Sequence, residues 1–321
     1  MREMTGKRSI LGGYSRFERR NFVFLYTLIA VPVLHFIVFW VYVNLSSLML
    51  AFEGYDGSFT LAHFKQVIDS FAGKTSTELG PMLGRSFLVW TVSNLICFPI
   101  CVITTYVLFK KIFGHYVFRV IYIIPSLLGA VIWTTLIKFI VSNDGPIVEV
   151  LTKLGVELPE FVMRNGLFGS EKTSFPTLIF ITFIMGIVGS NAVLTGAFTR
   201  IPDEIFESSR LDGASFWREF FSISLPCVWP TVATLMTFSL CGMFTAEANV
   251  FLYTNGTGEP GMATMGYHLY YLTVLISQNG QTGAGVFGYP AALGLTLTFF
   301  TVPIVLIGRR VLESLVEPVE Y

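Results

Sequence analysis

Six stretches of this chain contain no Asp, Glu, Lys or Arg: residues 21–52, 86–109, 120–137, 173–199, 220–246 and 260–308. A helix needs roughly 20 mostly apolar residues to cross a hydrocarbon core ~30 Å thick, and a charge left inside that core is costly. Each stretch approaches or exceeds the required length. Composition agrees, since 53% of the 321 residues are hydrophobic and only 13% are charged, about half the share in soluble domains. A cytosolic enzyme, a disordered or collagen-like chain and a disulfide scaffold are all excluded. The pattern predicts an all-α membrane protein with six transmembrane helices, at about 22–45, 86–109, 118–141, 175–199, 227–253 and 290–308.

The last uncharged stretch outruns its span because 254–289 is polar and Gly-rich at both ends. Asn255-Gly256-Thr257-Gly258 and Gln278-Asn279-Gly280-Gln281 read as aqueous loop. Between them, Tyr267-His268-Leu269-Tyr270-Tyr271 reads as an interfacial or short helical piece. Orientation follows Lys and Arg. With an even number of spans both termini share a side, and that side gathers 14 of the 21 basic residues. Both termini are therefore expected in the cytoplasm. The organisation is a cytoplasmic segment 1–21, a six-span domain 22–313 and a cytoplasmic tail 314–321. The uncharged run after the basic N-terminus is too long for the apolar core of a cleavable signal. Cys97, Cys101, Cys227 and Cys241 lie in or beside apolar stretches, not in a polar loop that a disulfide would staple. Pro32, Pro99 and Pro125 fall inside spans, where neighbouring helices can re-satisfy the carbonyls they free.

The loop between spans four and five, 200–226, differs from the others. Pro202 suits the first position of a helix, with Asp203 and Glu204 in its electropositive first turn. Glu207 and Arg210 are three apart, the spacing of a modest ion pair. Gly213 stands where a left-handed stop belongs, and Ser215 can cap a second short helix carrying Phe216, Phe220 and Ile223 at helical spacing. Pro226 is expected to end that helix. Two short helices with a glycine turn thus leave an apolar face needing a cover, supplied either by the span ends or by a separate soluble subunit.

This segment resembles a known pattern: Glu-Ala-Ala, three residues, Gly, nine residues, Ile-x-Leu-Pro. Here it stands as Glu207-Ser208-Ser209, Gly213 and Ile223-Ser224-Leu225-Pro226, with serines in place of the alanines. The pattern belongs to permease subunits of binding-protein-dependent ABC importers. The fuller form, Ile201-Pro202-Asp203-Glu204 with Arg210-Leu211-Asp212-Gly213-Ala214, is similar to the carbohydrate branch of maltose and glycerol-phosphate type. Asn143-Asp144-Gly145-Pro146 and Thr254-Asn255-Gly256 resemble loops of the same branch, and Arg19-Arg20 through Pro32 to Phe52 resembles its first span. Loop 46–85 is too short for the large outer domain of maltose-type permeases, and the C-terminal Glu317-Pro318-Val319-Glu320-Tyr321 is similar to the first permease of a heterodimer.

The resemblance implies a type I ABC importer permease-like bundle in a bacterial cytoplasmic membrane, taking up a sugar or oligosaccharide. Its implied partners are a second homologous permease, two ABC ATPase subunits, an extracytoplasmic solute-binding protein and the lipid bilayer, with no nucleic acid. It also implies that Glu207, Ser208, Ser209, Asp212, Gly213, Ala214, Phe216 and Trp217 form the coupling helix that docks on an ATPase. No Gly-rich phosphate loop with Lys-Ser or Lys-Thr occurs, so ATP and Mg are expected on the partner subunits and no cofactor on this chain. The four scattered histidines and absent catalytic constellation argue against a metal site or an intramembrane enzyme.

Cargo must meet polar groups inside the bundle. Thr245, Glu247 and Asn249 form one candidate group, although Glu247 lies near the outer end of its span, where snorkelling competes with cargo contact. Ser190 and Asn191 fall where related permeases line the passage, and helix packing is the competing reading. Ser93 and Asn94 are further candidates. Another small polar solute would fit the same importer. A secondary transporter would need inverted repeats and midplane ionisable groups, and His35 is the only ionisable residue besides Glu247 deep in a span. A channel would need a charged ring or filter segment.

Overall fold

The computed structural model describes residues 16–75, 79–112, 114–156, 159–246, 249–254, 261–280, 283 and 285–316. Regular structure there is helical: α1 (Phe24–Leu50), α2 (Ala62–Phe71), α3 (Leu79–Phe109), α4 (His115–Leu127), α5 (Ala130–Ile140), α6 (Pro146–Lys153), α7 (Glu160–Asn165), α8 (Glu171–Phe198), α9 (Asp203–Leu211), α10 (Phe216–Cys241), α11 (Val250–Thr254), α12 (Met265–Gln278) and α13 (Gly288–Leu315). Five of these, α1, α3, α8, α10 and α13, are long and apolar enough to cross a membrane.

The third expected span is the one that falls short. Residues 118–141 divide into α4 and α5 at Leu128 and Gly129, whose backbones are extended with ψ of 131° and 149°. Pro125 has already removed one rung from the last turn of α4, and Gly129 has no side chain to hold the next. The fifth expected span shifts as well. Its helix starts at Phe216 and stops at Cys241, where Gly242 opens a turn, and α11 resumes only after Asn249, which adopts a left-handed φ of 58°. The expected outer loop holds a 14-residue helix, α12, with Met265, Tyr267 and His268 buried; Asn255-Gly256-Thr257-Gly258 lies outside the described residues.

Pro226 does not end the helix begun at Phe216. A π-helical stretch, Phe220–Ser224, comes just before it, and Leu225 N–H donates to the Phe220 carbonyl five residues back. The same device precedes Pro99 in α3, where Val92–Cys97 is π-helical and Phe98 N–H donates to Ser93. Each proline lacks the N–H that a regular ladder would use, so a one-residue slip placed before it adds little further cost.

Three buried clusters organise the bundle. One, at the 98–106 end of α3, joins Phe98, Tyr106, Leu194, Phe198, Phe206 and Phe220. Two others lie toward the opposite end of α3, around Leu79, Met265 and Leu293 and around Leu178, Tyr253 and Tyr267. Between membrane-spanning helices such clusters act through close packing and interhelical hydrogen bonds more than through removal from water. By contrast, the apolar window of α1 has no buried residue, and Phe24, Tyr26, Leu34 and Phe39 are exposed on the outside of the bundle.

Candidate functional site

α9 and the first turn of α10 form the elbow anticipated in the sequence. Pro202 occupies the N-cap, one position earlier than expected, with φ −59° and ψ 140°, and Asp203, Glu204 and Arg210 complement the helix dipole. The stop at Gly213 is a Schellman turn: φ is +72°, Gly213 N–H donates to Arg210 at 3.1 Å and Ala214 N–H to Ser209 at 3.0 Å. Ser215 then accepts from Arg218 N–H at 3.4 Å, capping the next helix. No ion pair joins Glu207 to Arg210 among the described residues; both side chains are exposed, and an exposed pair gains little.

One face of the elbow is covered by the chain itself. Phe206 and Phe220 are buried, Phe216 is half-buried, and the Tyr106 ring lies 4.9 Å from Phe220 and 5.1 Å from Phe216. The Phe109 ring lies 5.6 Å from Phe206, tilted by 48°. The opposite face is open: Glu207, Ser208, Asp212 and Gly213 are exposed, Leu211 is 90% exposed and Trp217 52%. Phe216 and Trp217 therefore separate, one packing inward and one outward. The two serines separate in the same way. Ser209 is buried with its hydroxyl donated to the Phe206 carbonyl at 2.9 Å, whereas Ser208 is exposed and donates to Ile205. Ala214 is half-buried at the turn.

Three residues of this end escaped the sequence reading. Glu219, only 5% exposed, accepts the Tyr106 hydroxyl at 2.7 Å and pairs with Lys110. The signal was present in outline: Lys110 closes one uncharged stretch and Glu219 opens another. Their pairing across the fold was not.

Toward the other end of α3 lies a cavity of about 470 Å³. It is walled by Trp90, Ser93 and Asn94 from α3, Met185 and Gly186 from α8, Ser239 from α10 and Met243 just past its end, with Asn249 and Tyr253 beyond. Its described lining is polar, aromatic and aliphatic without a charged side chain. Close helix approach shapes it, because a Cβ on Gly186 would come within 2.8 Å of Cys97 Cβ. Of the sequence candidates, Ser93, Asn94 and Asn249 line this cavity. Asn191 instead turns into the bundle, donating its amide to Thr105 at 3.0 Å and accepting from Thr195 at 3.3 Å. Ser190 is half-buried beside it, Thr245 is exposed, and Glu247 lies outside the described residues.

Comparison with known proteins adds identity to this geometry. The diacetylchitobiose uptake system permease protein NgcF of Streptomyces coelicolor is 28% identical over 184 residues, which is 56% of this chain and 47% of that protein. The arabinooligosaccharides transport system permease protein AraP of Bacillus subtilis is 23% identical over 294 residues, 90% of this chain and 88% of the relative. A bacterial ABC transporter involved in the import of the acidic polysaccharide alginate contains a chain of the same fold, with a TM-score of 0.73 over 94% of this chain and 99% of that one at 17% identity. Residues 146–318, including the whole elbow, match the family model described as binding-protein-dependent transport system inner membrane component. The chain thus belongs to the family of inner membrane permease components of binding-protein-dependent ABC transport systems.

Proposed function

We propose that this chain is one of two homologous permease subunits of an ATP-driven importer for a sugar or oligosaccharide. The observation that carries this reading is the two-faced elbow, anchored inward by Phe206 and Phe220 and offering Glu207, Leu211, Asp212 and Trp217 outward. Such a helix is a handle for a separate motor, here two ABC ATPases that hold ATP and Mg. Coupling residues are Glu207, Ser208, Ser209, Asp212, Gly213, Ala214, Phe216 and Trp217, with Ser209 and Phe216 acting from the buried side. Closure of the ATPases on ATP displaces the elbow, and the stiff, aromatic-packed helices carry that displacement into the spans as rigid-body motion.

In this reading α4 and α5 together make a broken third span, so that six crossings place segment 1–21, the elbow 200–226 and tail 314–321 in the cytoplasm around a membrane domain 22–313. The exposed face of α1 is covered by lipid and the second permease, and a solute-binding protein delivers cargo on the far side. The cavity beside Trp90, Asn94, Asn249 and Tyr253 is the passage wall, with rings for stacking and amides for hydroxyl groups. Thr245 and Glu247 precede Asn249 in sequence, and Ser190 and Asn191 support the wall from behind. Sugar cargo draws support from the named activities of the relatives. The test is reconstitution of the chain with its genomic neighbours in proteoliposomes, followed by uptake of a panel of radiolabelled neutral and acidic oligosaccharides. ATP-dependent accumulation of at least one is expected, and accumulation driven by an ion gradient without ATP refutes the assignment.

A further inference from the structure

The elbow is continuous in sequence with α8 on one side and α10 on the other, but not with α3. Side chains make the missing connection. Glu219, in the first turn of α10, accepts the Tyr106 hydroxyl at 2.7 Å and the Lys110 ammonium on the same oxygen, Oε1. Lys110 Nζ also lies 3.7 Å from the centroid of the Phe206 ring, which belongs to α9. A cation over an aromatic face is attractive, and more so out of water. One lysine at the end of α3 therefore touches both arms of the elbow.

A buried ion pair is a poor choice if stability alone is at stake, because well-packed apolar side chains of similar volume are often as stabilising or more so. What directional, charge-assisted contacts add is a single register between the parts they join. The part joined here is α3, which contributes Trp90, Ser93 and Asn94 to the cavity wall. Ser93 and Asn94 lie within its π-helical stretch, a feature frequent at functional sites.

We propose that Lys110, Glu219 and Tyr106 are positioning residues that yoke α3 to the elbow, so that movement of the handle reaches the α3 wall of the cavity directly. This rests on the reading of the elbow as an ATPase handle. Without the yoke, displacement still travels along α8 and α10 through the backbone, while α3 follows only through ring packing and the Trp90–Ser239 bond. The two walls of the cavity then respond differently, and that difference is measurable.

The experiment uses the full transporter purified with its ATPase subunits, the four native cysteines replaced, and a single cysteine at Ser93→Cys on α3 or Ser239→Cys on α10. Labelling rates with a water-soluble maleimide are compared without nucleotide and with ATP plus vanadate. In the otherwise unaltered protein both positions should change rate on nucleotide binding; no change at either refutes the ATPase-handle reading itself. With Glu219→Gln the nucleotide-dependent change at position 93 should fall several-fold while that at 239 persists. Retention at 93 overturns the yoke, and so does loss at both positions, which marks a merely structural role. Should Glu219→Gln fail to assemble, Lys110→Met, which keeps an apolar stem over Phe206, is read by the same three outcomes.

Discussion

The Trp90 indole N–H donates to the Ser239 hydroxyl at 2.8 Å and to the Ser239 carbonyl at 3.1 Å, tying α3 to α10 across 149 residues of sequence. Both residues line the cavity. Because one donor is shared between two acceptors, the two partners differ in expendability. Ser239→Ala leaves the carbonyl in place and should cost about 0.5–1 kcal/mol, whereas Trp90→Phe removes the donor to both and leaves the carbonyl only Gly242 N–H, at 3.1 Å, and should cost about 1–3 kcal/mol. Thermal denaturation in detergent checks the order, and uptake should fall further for Trp90→Phe. Equal effects would mean that the bond to the carbonyl adds nothing beyond the bond to the hydroxyl.

Gly213 is needed for its backbone angle and not for space. Its φ is +72°, yet a Cβ there meets no heavy atom within 4 Å. Gly213→Ala should therefore be tolerated with a penalty of about 1–2 kcal/mol. Gly213→Pro imposes a negative φ and removes the donor to Arg210, so uptake should be abolished while the chain remains in the membrane. Membrane-fraction blots together with uptake measurements separate the two.

The serine pair gives a sharper contrast. Ser209→Leu forces bulk against the buried side of the elbow and should destabilise by about 1–3 kcal/mol. Ser208→Lys faces water and should leave thermal stability within about 0.5 kcal/mol while weakening ATPase docking. Restoring alanine at 208 should be neutral for folding. Stability measured on the purified chain and ATPase retention on the complex should split along these lines.

Gly186 sets the distance between α3 and α8. A Cβ there would fall 2.8 Å from Cys97 Cβ and 3.1 Å from its sulfur. Gly186→Leu should push the helices apart, reshape the cavity and abolish uptake. Gly186→Leu combined with Cys97→Gly should recover part of the lost activity, and failure of any recovery would show that the contact is not what limits the site.

Local chemistry was the most legible part of this molecule. The Gly213 stop and the Ser215 cap follow from short-range rules and stand where those rules place them. Pro226 misled because a π turn accommodates proline inside a continuous helix, and nothing in residues 216–226 alone reveals that slip. The split of the third span was masked because Leu128 and Gly129 leave hydropathy unbroken while their backbone turns extended. Which serine faces inward depends on where α3 lies, and so does the pairing of Glu219 with Lys110 and Tyr106. Such contacts are tertiary, and charge placement alone hints only that both ionised groups sit at the same end of their spans. The polar wall was legible in part: Ser93, Asn94 and Asn249 reach the cavity, while Asn191 is engaged by Thr105.

The central claim is that the open face of the elbow is gripped by an ATPase. It is tested most directly by measuring how much ATPase subunit copurifies with the chain when Glu207→Lys and Leu211→Asp are introduced together. The account predicts normal amounts of the variant permease in the membrane, loss of most of the ATPase and no ATP-driven uptake. Full ATPase retention with undiminished uptake would contradict it.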